Sequence, residues 1–170
     1  MPETRWNTAW AVRPPEEARN FNPAFCAELI ARTVGEFHKA RQKPLSIATA
    51  YLVLPLVLHK PTRDALPSRA NAALGTWIAE NNPMLAEFPR RANRVQSVSR
   101  EALLFAIRHQ VLKIQGGGLA PGDKPIRLSS RPTPSTDDVD EARAAAMLLG
   151  RWFAGQVTES AILQGLGVTP

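Results

Sequence analysis

The chain has 170 residues, of which 44% are hydrophobic, and a formal net charge of +6. This length predicts one domain, or two small ones that share a core. A single cysteine, Cys26, excludes an internal disulfide and a thiolate-rich metal site, and the positive charge suits an anionic partner. The longest apolar stretch, from Ala50 to Leu58, is far shorter than a membrane span. We therefore expect a cytoplasmic protein with no membrane contact.

Residues 1–21 are predicted to form an irregular N-terminal arm that carries Trp6 and Trp10. A tryptophan has a large apolar area, so these two side chains either pack on the domain or anchor a partner. Residues 22–170 are predicted to form a single compact helical domain. It contains a winged-helix-like unit at about 68–131 and C-terminal helices over 136–166.

An amphipathic helix is predicted from Asn22-Pro23, an N-cap followed by a first-turn proline, to near Arg41. Its apolar side chains recur at helical spacing. Its opposite, polar face is predicted to hold Glu28, Arg32, Glu36 and Lys39.

The nearly continuous apolar run from Leu45 to Leu58 predicts a buried helix that Pro55 kinks or stops. The next residues, 59–67, leave the core as a short turn or helix bounded by prolines. Ser68 is then predicted to cap a helix that Asn81-Asn82-Pro83 terminates, and a further short helix around Met84 is expected to be distorted by Pro89.

Residues 99–131 predict a helix followed by a β-hairpin, which is the layout of a winged helix. Ser99 opens the helix, and its inner face is formed by Leu103, Leu104, Ile107 and Val111. The first strand follows at 111–114, Gly116 to Gly118 form the turn, and a basic second strand is expected at Pro125 to Leu128.

Thr136 is predicted to cap a strong helix that begins with Asp137, Asp138, Asp140 and Glu141, where acidic groups suit the helix dipole. A last short helix should run from Glu159 to Leu166 and end at Gly167. The predicted fold class is therefore mainly α (α+β), with one β-hairpin.

No residue pattern predicts an active site. His38, His59 and His109 fall on separate elements without a metal-binding spacing, and Cys26 lies on an apolar helix face, where burial raises a thiol pKa. Gly116 to Gly118 lack the lysine of a phosphate-binding loop. We expect no enzyme activity, no cofactor, no metal and no small-molecule substrate.

Basic residues cluster in and beside the winged unit. They are Arg90, Arg91, Arg94, Arg100, Arg108, Lys113, Lys124, Arg127 and Arg131. Contact with the DNA backbone, docking of an acidic protein and an ordinary solvated surface all remain open. Because the helix has few side chains that read bases, any DNA contact is expected to be independent of sequence.

Several runs together resemble the middle component of three-component ABC systems. They are Asn22 to Cys26, Leu52 to Pro67, Arg100 to Phe105, Leu149 to Ala154 and Gly167 to Pro170. The proline-punctuated run Leu52 to Pro67 is the most specific of them. The resemblance implies an anti-phage defence operon of the Lamassu type, in which this chain is a non-catalytic adaptor. Its implied partners are an SMC-like ABC ATPase and an effector, often a nuclease.

The segment His59, Lys60 and Arg63 fits such a role, because it follows a buried helix and is fixed between prolines. We predict that it contacts the ATPase or effector, with Arg63 pairing with a carboxylate, although an ordinary loop is the alternative. The competing functional hypothesis is a free-standing winged-helix DNA-binding regulator.

Overall fold

The computed structural model describes residues 10–169 and shows a mainly helical molecule with a small three-stranded antiparallel sheet, which confirms the predicted fold class. The helices are α1 (Pro15–Asn20), α2 (Pro23–Arg41), α3 (Ile47–Ala50), α4 (Val53–Val57), α5 (Lys60–Asp64), α6 (Leu74–Glu80), α7 (Asn82–Leu85), α8 (Phe88–Arg108), α9 (Asp137–Ala154) and α10 (Glu159–Gly165). The strands are β1 (Leu45–Ser46), β2 (Leu112–Gln115) and β3 (Gly118–Pro121). Helix α1 lies where an irregular arm was predicted.

Helix α2 forms the centre of the core, with α8 and α9 packed against it. Its predicted start is confirmed, because Asn22 Oδ1 accepts hydrogen bonds from the amides of Ala24 and Phe25 at 2.9 and 3.3 Å. Its predicted end near Arg41 is confirmed as well.

The polar face predicted for α2 is largely covered, and of its four residues only Lys39 is exposed. Arg32 and Glu36 are only 2% and 6% exposed, because α9 and the segment around residues 128–130 cover this side of the helix. Arg32 donates to the carbonyl oxygens of Leu128 and Ser130, each at 2.8 Å. Glu36 pairs with Arg151 of α9 at 3.3 Å. The charges are thus buried with partners, as buried charges must be.

The run from Leu45 to Leu58 is mostly buried as predicted, with Ile47 exposed, but it is not one helix. It begins as strand β1, continues as α3, breaks at Tyr51 and Leu52, and resumes as α4. Pro55 stands inside α4 and has no N–H to donate to the carbonyl of Tyr51, so one continuous helix cannot pass through this point. The interruption therefore precedes the proline.

Helix α8 is longer than predicted and begins earlier. It starts at Phe88, with Pro89 in its first turn, where a proline needs no hydrogen-bond partner for its nitrogen. Pro89 therefore begins this helix rather than distorting another, and Ser99 lies in its middle rather than at its cap. Ser68 caps no helix either, because α6 starts at Leu74, although α6 does end before Asn81 as predicted.

The hairpin after α8 is confirmed, but its second strand is not the one predicted. Strand β2 pairs with β3, and the turn uses Gly116 and Gly117, both with positive φ. Residues 125–128 form no strand, because β3 follows the turn directly and pairs on its other edge with β1, giving the order β1-β3-β2. Leu104, predicted to face inward, is 60% exposed.

The C-terminal predictions are confirmed. Thr136 Oγ1 accepts from the amide of Val139 at 3.4 Å and caps α9, and α10 ends before Gly167, which has a φ of 69°. Trp152 of α9 meets Trp77 of α6 edge to face, with ring centroids 5.1 Å apart. Among the described residues, no helix is both long and apolar enough to cross a membrane.

Candidate functional site

The segment predicted as an interface, residues 59–63, begins with a histidine that caps a helix. His59 Nδ1 accepts from the amide of Thr62 at 3.3 Å and lies 2.7 Å from the Thr62 hydroxyl. The same hydroxyl belongs to the fully buried Thr62 and accepts from Arg91 Nη2 at 2.8 Å. This hydrogen bond joins α8 to α5. Burial, followed by the charge of Arg91, lowers the pKa of His59.

Arg63 lies inside the fold. Its side chain is 4% exposed, and Nη1 donates to the carbonyl of Val57 at 2.8 Å. Nη2 donates to Asp138 and lies 3.5 Å from Glu141, both at the start of α9. The guanidinium thus joins α4, α5 and α9 through separate hydrogen bonds. The carboxylate that Arg63 was predicted to seek on a partner is supplied within the same chain.

Lys60 remains at the surface, where it pairs with Glu141 at 3.0 Å and with Asp64 at 3.4 Å. The hydrogen bond to Glu141 raises the pKa of Lys60 and lowers that of Glu141. The acidic start of α9, which sequence reasoning attributed to the helix dipole alone, therefore also holds α5 in place. The assignment of His59, Lys60 and Arg63 to a partner interface stays a prediction.

Arg91 is partly buried without an anionic partner. Its Nε donates to the carbonyl of Pro55 at 3.1 Å, and its guanidinium stands 5.3 Å from the ring centroid of Phe88. No carboxylate in the described part of the chain pairs with it. Burial lowers the pKa of Arg91, which is the effect expected when a cation loses water and gains no counter-charge.

Glu28 of α2 is fully engaged by two arginines. Its Oε1 accepts from Arg143 Nε at 2.7 Å and from Arg32 Nε at 2.9 Å, and its Oε2 accepts from Arg143 Nη2 at 3.1 Å. Burial by itself raises the pKa of Glu28, but the hydrogen bonds from Arg143 and Arg32 outweigh it and hold the pKa below its usual range.

Arg63, Arg91 and Glu28 line one cavity of about 780 Å³ between α1, α2, α4, α5, α8 and α9. Of the residues that the structure describes, five arginines line it against two acids, Glu28 and Asp138. We call it the arginine cleft and define it by Arg19, Arg63, Arg91, Arg94 and Arg143. Half-buried apolar side chains, among them Phe21, Phe25 and Leu58, complete its wall.

The structure divides the predicted basic cluster. Arg91 and Arg94 line the arginine cleft, whereas the rest of the cluster lies outside it and is exposed. These exposed residues are Arg90, Arg100, Arg108, Lys113, Lys124, Arg127 and Arg131. They belong to α8, β2 and the loop after β3. Of these, Arg90 forms an ion pair with Glu87 at 3.6 Å.

The histidines and the cysteine do not meet. His38 Nδ1 lies 3.2 Å from the carbonyl of Lys43, and His109 packs on Phe105 with ring centroids 4.3 Å apart. Across residues 10–169, no three His, Cys, Asp or Glu side chains gather in a way that could hold a metal ion. Cys26 is fully buried on the apolar face of α2, as predicted, and burial raises the pKa of its thiol to about 12.

The side chains of the two tryptophans of the arm lie outside what the structure describes. Trp6 lies outside the described residues, and of Trp10 only the backbone is described, where it begins a short 3-10 turn ending at Val12. Their predicted role as anchors stays a prediction.

The cleft itself was not predictable from the sequence. Arg19, Glu28 and Arg143 carried no motif, and the pairing of Glu28 with Arg143 joins residues 115 positions apart. The sequence showed only that arginines are frequent in and near α8. That some of them lie beside arginines of α1 and α9 depends on tertiary packing.

Residues 10–170 match one protein family, described as MC3, ABC-three component (ABC-3C) system Middle Component 3. No curated protein and no solved structure matches the chain.

Proposed function

The chain belongs to the MC3 family, middle component 3 of ABC-three component systems, and from this premise we propose that it is the non-catalytic adaptor of a bacterial anti-phage defence complex. In this proposal the complex is of the Lamassu type, and the adaptor joins an SMC-like ABC ATPase to an effector, often a nuclease. The family match over residues 10–170 carries the proposal. A cytoplasmic location is part of it.

The distribution of side chains supports an accessory role. Several charged side chains pair within the chain and join its helices, as Arg63 does with Asp138 and Glu28 with Arg143. The surface carries unpaired cations and isolated apolar side chains, including Leu104 and Ile114, which are 60% and 61% exposed. An exposed surface with this excess of positive charge suits an anionic partner.

Co-expression with the two neighbouring operon products tests the proposal. We expect the three chains to elute as one complex at physiological ionic strength. Replacing the predicted anchors, Trp6→Ala with Trp10→Ala, should weaken assembly, because buried tryptophans contribute strongly to interfaces. Exposed Arg69→Ala is the control and should leave assembly intact. Separation of the wild-type chains under these conditions would rule out the adaptor role.

A second candidate is a free-standing winged-helix DNA-binding regulator. Its support is the order of the elements: α8 precedes the hairpin, and β1 joins as the outer strand in the order β1-β3-β2. Arg90, Arg94, Arg100 and Arg108 are all exposed on α8. A regulator requires tight binding to one operator, whereas the adaptor requires at most contact with the DNA backbone.

A further inference from the structure

The arginine cleft carries a positive charge that the protein itself leaves uncompensated. Both acids of the cleft are already paired, Glu28 with Arg143 and Arg32, and Asp138 with Arg63. Within residues 10–169, Arg91 makes hydrogen bonds only to a carbonyl and a hydroxyl. Arg19 and Arg94 are exposed and form no ion pair or hydrogen bond with any other described residue.

We propose that the arginine cleft binds a nucleotide, with the phosphates against Arg19, Arg91 and Arg94 and the base against the wall formed by Phe21 and Phe25. Guanidinium groups match the geometry of phosphate oxygens and bind them in pairs of hydrogen bonds. A cation that has lost water, as Arg91 has, gains more from such an anion than an exposed cation does.

Arg63 also contributes a buried donor to the wall of the arginine cleft. Arg63 Nε is buried and has no hydrogen-bond partner in the described part of the chain, although the rest of this guanidinium is engaged. Its side chain is 4% exposed and lines the cavity. Buried donors normally have partners, so this unsatisfied N–H adds to the uncompensated positive charge in the wall of the cleft.

The size and the walls of the cleft favour a nucleotide over a bare anion. A volume of about 780 Å³ is that of a small-molecule site and far exceeds the needs of one phosphate. The apolar wall offers two phenyl rings, and Arg143 already stands 6.0 Å from the ring centroid of Phe25. Aromatic and guanidinium surfaces are those on which nucleobases stack.

The first experiment measures binding to the full chain by calorimetry with three probes: ATP, tripolyphosphate and inorganic phosphate. We expect ATP to bind about tenfold more tightly than tripolyphosphate, because only ATP meets the apolar wall. Equal binding of the two would overturn the nucleotide assignment and leave a polyanion site. Absence of ATP binding would overturn the proposal outright, as would displacement of ATP by an equimolar glutamate-rich peptide.

The second experiment locates the binding with matched variants. Arg94→Ala should weaken ATP binding about tenfold, and Arg19→Ala with Arg94→Ala by about a hundredfold, since each removes charge-assisted hydrogen bonds. Both side chains are exposed, so the fold should survive. The control is Arg100→Ala, an exposed arginine of the same helix that lies outside the cleft. An equal effect of Arg94→Ala and Arg100→Ala would overturn the proposal.

Phe25→Leu separates the two halves of the ligand. It should weaken ATP binding while leaving tripolyphosphate binding unchanged, and equal loss for both probes would contradict the role of the aromatic wall.

The inference does not rest on the adaptor function. The chain can bind ATP and fail to join a complex, or join one and leave ATP unbound, and the two results are measured separately.

Discussion

Two hydroxyl groups, those of Ser99 and Thr33, are fully buried in the helical core but have different surroundings. The hydroxyl of Thr33 donates to the carbonyl of Ala146 at 2.8 Å and thereby joins α2 to α9. The hydroxyl of Ser99 has no hydrogen-bond partner in the described part of the chain. A buried polar group without a partner loses its hydration and gains nothing in exchange, so Ser99 is a local defect in the core.

We therefore expect Ser99→Ala to raise the free energy of unfolding by up to ~1 kcal/mol, because it removes an unpaired hydroxyl from the middle of a helix. Thr33→Val should lower it by ~1 kcal/mol, because it removes a bonded hydroxyl of similar burial. Urea denaturation followed by circular dichroism measures both.

The comparison also separates two views of Ser99. A serine at the N-cap of a helix, as the sequence suggested, would stabilise its helix, and its replacement by alanine would lower stability by ~1 kcal/mol. A loss of stability in Ser99→Ala would therefore contradict the mid-helix position that the structure gives this residue.

Helices α2 and α9 approach each other closely at Gly150. A Cβ placed on Gly150 would lie 2.4 Å from the carbonyl oxygen of Thr33 and 2.8 Å from Cβ of Glu36. The first of these atoms belongs to the backbone of α2, which cannot move as a side chain can. The glycine thus sets the distance between the two helices, and that distance brings Arg143 within reach of Glu28.

Gly150→Ala should lower the free energy of unfolding by ~3 kcal/mol, because the helices must separate to admit one methyl group. Gly75→Ala in α6 is the matched control, since a Cβ there meets nothing within 4 Å. The control should be neutral or stabilising by up to ~1 kcal/mol, as alanine is the better helix former. Similar midpoints of thermal unfolding for the two variants would mean that the close approach is absent.

Features set by neighbouring residues were predictable. The caps at Asn22 and Thr136, the end of α6 before Asn81 and the glycine turn of the hairpin all depend on a few adjacent residues. Pro89 shows the limit of such reasoning, because a proline can end one helix or begin the next. Its outcome was decided by the apolar side chains that follow it in α8.

Features set by distant residues were not predictable. Arg32 and Glu36 have the spacing of an exposed helical face, yet they are buried by segments about a hundred positions away. The second hairpin strand was placed at 125–128 because its composition suited a strand, whereas pairing with β1 selected residues 118–121. The arginine cleft has the same origin, since its charges come from separate helices.

Across the whole molecule, the positive charge is divided between an internal and an external site. Arg91 and Arg94 line the cleft, whereas Arg100, Arg108 and Lys113 lie on the exposed side of α8 and on β2. The external group is exposed, as contact with an extended polyanion requires. The two sites can therefore be altered independently.

If the chain contacts DNA through this external group, binding should be independent of sequence and strongly salt-dependent. Each phosphate contact contributes about 0.9 to the slope of log K against log salt, so Arg100→Ala with Arg108→Ala should reduce that slope by about two. The exposed pair Lys39→Ala with Arg69→Ala removes the same charge from other regions and should leave the slope less affected. Titration of unrelated duplexes of equal length, at several salt concentrations, provides the measurement.

Equal slopes for the two double variants would exclude α8 as the contact, because general electrostatic attraction alone would then account for binding. A strong preference for one duplex would instead favour the regulator, since only base contacts or sequence-dependent DNA shape can discriminate among duplexes of equal charge.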